Sequence, residues 1–354
     1  MNTKHKTFFK NLVTSYSPSG YEKPAQKIYY DYVKQFADKV EADVNGNVIA
    51  HKKGKGKFSV MLVGHADEIG LMVSHITEDG YIYCKSIGGM DASILPALRM
   101  NIHHEGKIVR AVAGRKAAHM VRGDDSPKIK LDDIWFDIGA KDKKDALKRV
   151  SLGDIVTYSA DFERINGDFY ATKATDNKAG VFVAAVALEL LKDEKIYADI
   201  YSVASVKEEI GGIGAKTSSY SINPDLAVVF DVTFTSDHPG VDKKVYGDIA
   251  LGDGPVVCLG ANINDKALAL LKETAEECKI PLQWEVSTMR TGTDLDSIFS
   301  NRSGIPSILI SIPNRYMHSP NEMISLKDLE STAKLTAEFL KRIDAKFDLY
   351  PFKF

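Results

Sequence analysis

The stretch from Asn177 to Leu191 is apolar at nearly every position, with Lys178 and Glu189 as its only charges. A helix with no polar face has to be covered on all sides, and Ala179–Leu191 is too short to cross a bilayer. The chain around it supplies strands. Phe58–Val63 is a short apolar run that suits a strand buried on both faces, as in a parallel sheet. Ile200–Val206, Leu226–Phe230, Pro281–Val286 and Ser307–Ile312 read as further strands, and Asp265–Lys279 as a helix. Helices are also predicted over Lys4–Tyr16 and about Glu22–Ala37, with a hairpin over Glu41–Lys52 turning at Asn45-Gly46. An amphipathic helix, Ser325–Ile343, closes the chain, with Ser325 as its cap.

Between about Glu68 and Ala171 the texture changes to short alternating runs: Gly70–Ser74, Tyr81–Ile87, Arg99–His103, Lys107–Ala113, Ile134–Ile138 and Ile155–Tyr158. Turn pairs such as Asp79-Gly80 and Asn166-Gly167 separate them, which is the pattern of a small all-β module. An α/β sandwich interrupted by a β insertion accounts for both textures. The length of 354 residues agrees with two domains or one large domain with an insertion.

Composition narrows the function. With 44% hydrophobic and 27% charged residues the chain is neither disordered nor fibrous. A net charge of −2 offers no overall field for nucleic acid or anionic lipid. Cys84, Cys258 and Cys278 form no C-x-x-C pair and read as reduced apolar residues. Nothing near Met1 resembles a secretory signal, so a cytoplasmic protein with no membrane partner is expected.

Ligands of α/β sheets bind beyond the carboxyl ends of the strands. At those ends lie His65 and Asp67, Glu208 and Glu209, Asp231, and His318, while Asp176 stands just before the apolar helix. Each has a plain reading: a surface histidine, a turn aspartate at Asp67 or Asp231, a solvated Glu208-Glu209 pair, a helix cap at Asp176. Together they place five carboxylates and two histidines on one rim. Such a gathering needs protonation or a multivalent cation. Two imidazoles among oxygens favour a zinc-, cobalt- or manganese-type ion over calcium or magnesium. Seven groups exceed the needs of one tetrahedral ion. Two metals sharing one carboxylate, with one acid left as base and one supporting the ligands, fit that number better. Asp67, two residues after His65, is placed to orient the imidazole. His5, His51, His75, His103, His104, His119 and His238 have no comparable setting and are read as structural.

The order of short motifs along the chain resembles one family. Ser19-Gly20-Tyr21-Glu22, Gly64-His65-Ala66-Asp67-Glu68-Ile69-Gly70, Asp137-Ile138-Gly139-Ala140, Ala174-Thr175-Asp176-Asn177, Lys207-Glu208-Glu209-Ile210-Gly211, Phe230-Asp231-Val232-Thr233, Gly292-Thr293-Asp294 and Arg315-Tyr316-Met317-His318-Ser319-Pro320 together are similar to the tetrahedral aminopeptidases. That family of dinuclear metallo-aminopeptidases includes glutamyl and deblocking enzymes, and some members carry an endoglucanase label. The resemblance implies a three-layer α/β/α catalytic domain of the zinc-exopeptidase kind at 1–67 and 171–354. At 68–170 it implies an inserted PDZ-like β-barrel domain used in oligomerisation, with dimers building a dodecamer. It also implies that His65 and Asp231 bind one divalent ion, that Glu209 and His318 bind the other, and that Asp176 bridges them. Glu208 is then the general base, the ions zinc or cobalt, and the substrates peptides. Lys207, Asn177-Lys178 and Leu295 depart from the usual pattern, and none of them is an implied ligand or base.

Two rival functions compete with this one. A glycosidase also needs two carboxylates but has no use for His65 and His318. A non-catalytic peptide-binding scaffold has no need of the acidic rim. Arg290, just before Gly292-Thr293-Asp294, offers a partner for an acidic substrate side chain, although an exposed arginine is the plainer reading.

Overall fold

The computed structural model describes residues 1–117, 120, 128–159 and 161–353, so His119 lies outside the described residues. The apolar segment is the helix Thr175–Leu190, buried from Thr175 through Leu188. One side packs on the strands Ser59–His65, Asp199–Ser205 and Leu226–Phe234. Its remaining surface is covered by the helices Thr3–Thr14, Lys23–Val33 and Leu326–Lys341. Phe182 stands at the centre of that packing, with the rings of Phe8 and Phe9 5.8 Å and 5.4 Å from its own.

Those strands form the middle of an 11-stranded sheet. Asp199–Ser205, Ser59–His65, Leu226–Phe234 and Ser307–Arg315 run side by side and parallel. Both of their faces are buried, which is why the runs lack polar alternation. Val60 and Leu62 enter the core around Phe182, while Met61 and Val63 enter a second core with Ala215, Leu295 and Ile298. Helices Ile213–Ile222 and Leu295–Ile298 cover this second face.

The sheet's edges are antiparallel. The expected hairpin is Lys39–Ala42 with Val48–Lys52. Its connection is longer than a two-residue turn, because the Asp43 carboxylate accepts the N–H groups of Asn45, Gly46 and Asn47. At the other edge come Glu322–Ser325, Phe169–Thr172 and Glu163–Asn166. Val256–Gly260 joins Ser307–Arg315 to Gln283–Ser287. The β texture between the two halves of the sheet becomes six strands, Gly70–Ile76, Ile82–Ile87, Arg99–His104, Lys107–Gly114, Trp135–Asp137 and Ile155–Tyr158. They close into a barrel around its own core, which includes Leu71, Ile82, Met100 and Phe136. No described helix is long and apolar enough to cross a membrane.

Two local features aim the sheet at one point. A Cβ on Gly64 would lie 2.4 Å from the carbonyl carbon of Gly180, so strand and helix backbones touch where only glycine fits. That contact sets His65, the last residue of its strand, beside the start of the helix that bears Asp176. Ser307–Arg315 also continues three residues past the Ile312 limit read from sequence, through Pro313, and carries the chain toward His318.

Candidate metal centre

His65 is almost fully buried at the end of its strand. Its Nδ1 faces Asp67, 3.1 Å from the backbone carbonyl and 3.5 Å from Oδ1. The opposite nitrogen, Nε2, is 3.2 Å from Asp176 Oδ1, 3.8 Å from Glu208 Oε2 and 3.9 Å from Asp231 Oδ1. His318 mirrors it. Its Nδ1 faces the Gly89 carbonyl at 3.1 Å, and its Nε2 lies 3.1 Å from Asp176 Oδ2 and 3.6 Å from Glu209 Oε1. Each imidazole thus keeps one nitrogen on a backbone carbonyl and turns the other toward the carboxylates, the arrangement that fixes a ligand tautomer.

Asp176 stands between the two rings, one oxygen toward each. The plain reading of it as a helix cap is therefore corrected. Ala174, at φ +56°, occupies the cap position, and Asn177 Oδ1 accepts the Gly180 N–H at 2.9 Å. The Asp67 carboxylate is fully buried and accepts from Ser19 Oγ at 2.6 Å and from the N–H groups of Glu208 and Glu209 at 3.0 and 3.2 Å. It ties the His65 strand to the loop bearing the two glutamates, so Asp67 is not a free turn residue. The acidic pair is likewise drawn inward and is no solvated face. Ala174, Lys207, Tyr316 and His318 all hold positive φ, between +56° and +63°. Non-glycine residues in that region concentrate where a site constrains the backbone.

Within 4.8 Å of mutual separation, the donor atoms form two sets, His65 with Asp176 and Asp231, and Asp176 with Glu209 and His318. Burial, together with the neighbouring carboxylates, pushes the Glu208 carboxyl up to about 8 and moves Glu209 and Asp231 well above their usual range, despite opposition from His65. His318 is raised to about 9, chiefly by its hydrogen bond to Asp176. Glu209 Oε1 is buried and has no hydrogen-bond partner among the described residues. Repelling carboxylates, an orphaned carboxylate oxygen and two pre-aimed imidazoles are a donor set that could hold a divalent metal.

The structure adds residues that the sequence did not single out. Glu322 is fully enclosed and accepts from Thr175 N–H (2.6 Å), Thr175 Oγ1 (2.6 Å) and His318 N–H (2.8 Å), tying the two loops that bear Asp176 and His318. Burial raises its carboxyl to about 7. Asp294, quoted above only as part of a motif, is buried against Ser205 Oγ at 2.6 Å, and its carboxyl is raised to about 6 by burial. Below the site Glu68 holds Lys173 and Lys178, at 2.6 and 3.1 Å. No periodicity marks these positions. Only their closeness in sequence to His318, Gly292-Thr293 and Asp67 could have drawn attention to them. The site opens on a cavity of about 780 Å³ whose wall includes Thr233, Glu285, Arg290 and Ser311.

Comparison with known proteins gives a consistent match. The sequence pattern of the M42 glutamyl aminopeptidases fits residues 46–335. A lysyl aminopeptidase of Pyrococcus furiosus is 37% identical over 338 residues, 94% of this chain and 96% of that protein. A TET aminopeptidase from a marine sediment archaeon of the Thaumarchaeota superposes with a TM-score of 0.93 at 30% identity, covering 97% of this chain and 98% of its own. The Pyrococcus horikoshii TET1 peptidase, described as assembling into a tetrahedron or an octahedral shell, gives 0.85 at 28% identity, covering 96% of this chain and all of its own.

Proposed function

The chain belongs to the M42 glutamyl aminopeptidase family, and on that premise we propose that it is a metal-dependent aminopeptidase removing N-terminal residues from peptides. The observation that carries this reading is Asp176, whose two carboxylate oxygens face His65 Nε2 at 3.2 Å and His318 Nε2 at 3.1 Å. His65 and Asp231 would hold one ion, Glu209 and His318 would hold the other, and Asp176 would serve both. Two ions of the zinc or cobalt type would supply a water acidic enough to ionise near neutral pH and a Lewis acid for the scissile carbonyl.

The chain's own groups do the rest. Glu208 is the general base. Its Oε2 sits 3.8 Å from His65 Nε2, beside both donor sets and a member of neither. It takes the proton of the attacking water and returns it to the leaving amine. Asp67 fixes the tautomer and angle of His65 while holding the Glu208 and Glu209 backbone in place.

We assign 1–67 and 171–354 to a three-layer α/β/α catalytic domain of the zinc-exopeptidase kind, and 68–170 to a PDZ-like insertion used in oligomerisation. The two covered faces of the sheet and the closed barrel support two units, although the barrel's strands end at Tyr158 and Glu163–Asn166 already pairs into the main sheet. Assembly of dimers into a dodecamer and a cytoplasmic location complete the reading; a TET1 structure described as a dodecamer supports the first. A glycoside hydrolase is not favoured, because two carboxylates suffice for that chemistry and two buried-edge imidazoles add nothing to it.

Hydrolysis of aminoacyl anilides with and without a chelator tests the proposal, run beside a polysaccharide assay. Chelation is expected to abolish hydrolysis, and zinc or cobalt to restore it. Glu208→Gln is expected to retain its metals and lose about 10²–10⁴-fold in turnover. Undiminished peptidase activity in that variant would remove Glu208 from the mechanism, and polysaccharide cleavage indifferent to chelator would overturn the reading.

A further inference from the structure

We infer that Glu285 is the specificity-determining residue of this site, forming the floor of the pocket for the first side chain of the substrate and selecting lysine and arginine there. The inference rests on the aminopeptidase reading and adds a substrate class to it.

Glu285 lies on Gln283–Ser287 and lines the same cavity as His65, Asp176 and Asp231. Its carboxylate is held by hydroxyl groups alone. Ser311 Oγ donates at 2.8 Å, and the Thr233 hydroxyl stands near enough to favour its charged form. No lysine, arginine or histidine among the described residues forms an ion pair with it. Burial pushes the carboxyl above its usual range, and the two hydroxyls only partly oppose this. A half-buried carboxylate with neutral donors and an open side toward a cavity is completed by a cationic guest.

The sheet register places the groups around this carboxylate beside the proposed metal centre. Thr233 lies two residues beyond Asp231 on the same strand, so both point to one face. Ser311 is the Cα partner of Asp231 on the neighbouring strand, about 4.8 Å away across the sheet. Cys258 is in turn the partner of Glu285. The groups that hold Glu285 are therefore the immediate neighbours of a proposed metal ligand, and the four-carbon stem of a lysine spans such an interval. Cys258 and Leu309, which also line the cavity, offer apolar wall to that stem.

The cavity's own cations do not reverse the choice. Of the three lysine and arginine cations lining it, Lys243 is paired with Asp248 at 2.5 Å and is more than half exposed, and Lys244 and Arg290 are exposed. Charges in water are screened, whereas the sheltered carboxylate is not.

The test uses the metal-loaded native protein and Glu285→Gln with lysyl, arginyl, leucyl and glutamyl anilides. Calorimetry of free L-lysine and L-norleucine binding to both proteins accompanies the kinetics. Native protein is expected to favour the lysyl and arginyl substrates by about tenfold or more in kcat/KM. The variant is expected to lose that preference, mainly through a higher KM for the lysyl substrate, with leucyl hydrolysis within about threefold of native. Lysine is expected to bind more tightly than norleucine to the native protein only. Glutamyl or leucyl substrates turned over as well as lysyl, an equal loss on every substrate in the variant, or equal binding of lysine and norleucine overturns the inference while leaving the peptidase reading intact. Preferential lysine binding with no hydrolysis of any anilide supports the pocket and refutes the peptidase reading.

Discussion

Replacing Glu68 by glutamine removes one negative charge from a cluster that holds Lys173 and Lys178, the second with its pKa already lowered to about 7 by burial. The carboxylate is almost fully buried and accepts Lys173 Nζ at 2.6 and 2.8 Å, Lys178 Nζ at 3.1 Å and the Ser17 N–H at 2.8 Å. In the variant each ammonium keeps the Ser15 carbonyl, at 2.8 and 3.0 Å, and at most a neutral amide oxygen in place of the carboxylate. Leaving a buried charge without its partner costs about 3–5 kcal/mol. Unfolding entropy near the melting temperature is about 2.1 cal/mol/K per residue, so 354 residues give about 0.74 kcal/mol/K. The melting temperature should therefore fall by about 4–7 °C, read by differential scanning calorimetry. The triple variant Glu68→Leu, Lys173→Met, Lys178→Met removes the orphaned charges as well and should recover at least half of that loss. A Glu68→Gln protein that melts with the native one, or a triple variant that melts below the single one, would refute the reasoning that charge imbalance sets the cost.

Gly64→Ala should be among the most damaging of conservative changes, because its new methyl meets the Gly180 and Val181 backbone at 2.4–2.6 Å; a loss of about 1–3 kcal/mol or more is expected in urea unfolding, and a neutral result would contradict the close approach. Phe182→Ala opens the core between Phe8 and Phe9 and should cost about 3–5 kcal/mol by the same measurement; a loss under 1 kcal/mol would place the ring outside the core. His103 is held neutral, its pKa lowered from 6.5 to about 4 first by burial and then by Lys173. The unfolded chain takes up that proton first, so this contribution is intact above pH 6.5 and is lost as the pH falls toward 4. Stability should consequently fall less steeply over that window in His103→Gln than in the native protein; parallel profiles would show that His103 does not govern it.

Elements whose burial is uniform were the easiest to read. The apolar run at Asn177–Leu191 and the β runs of the insertion each obey a single period, and the structure places them within a few residues of the expected limits. Val256–Gly260 and Glu322–Ser325 escaped because four or five residues are too few to establish a period, and their strand character is set by pairing on both sides. The same contrast holds in the site. Groups directly after apolar strands could be found by position, and the sheet brings His65, Asp176, Glu208, Glu209, Asp231 and His318 together. Glu322 and Glu285 are set by tertiary partners: the first by Thr175 and His318, the second by Ser311 and Thr233. Arg290 was a visible charge near the site, but visibility in sequence did not distinguish an exposed rim from a sheltered floor.

The claim on which the account rests is that Asp176 is shared by two cations. An anomalous-difference map from crystals grown with zinc or cobalt tests it without any assay of activity. Two peaks are predicted, one flanked by His65, Asp176 and Asp231 and the other by Asp176, Glu209 and His318. A single peak, or density at neither set when metal is in excess, would contradict it.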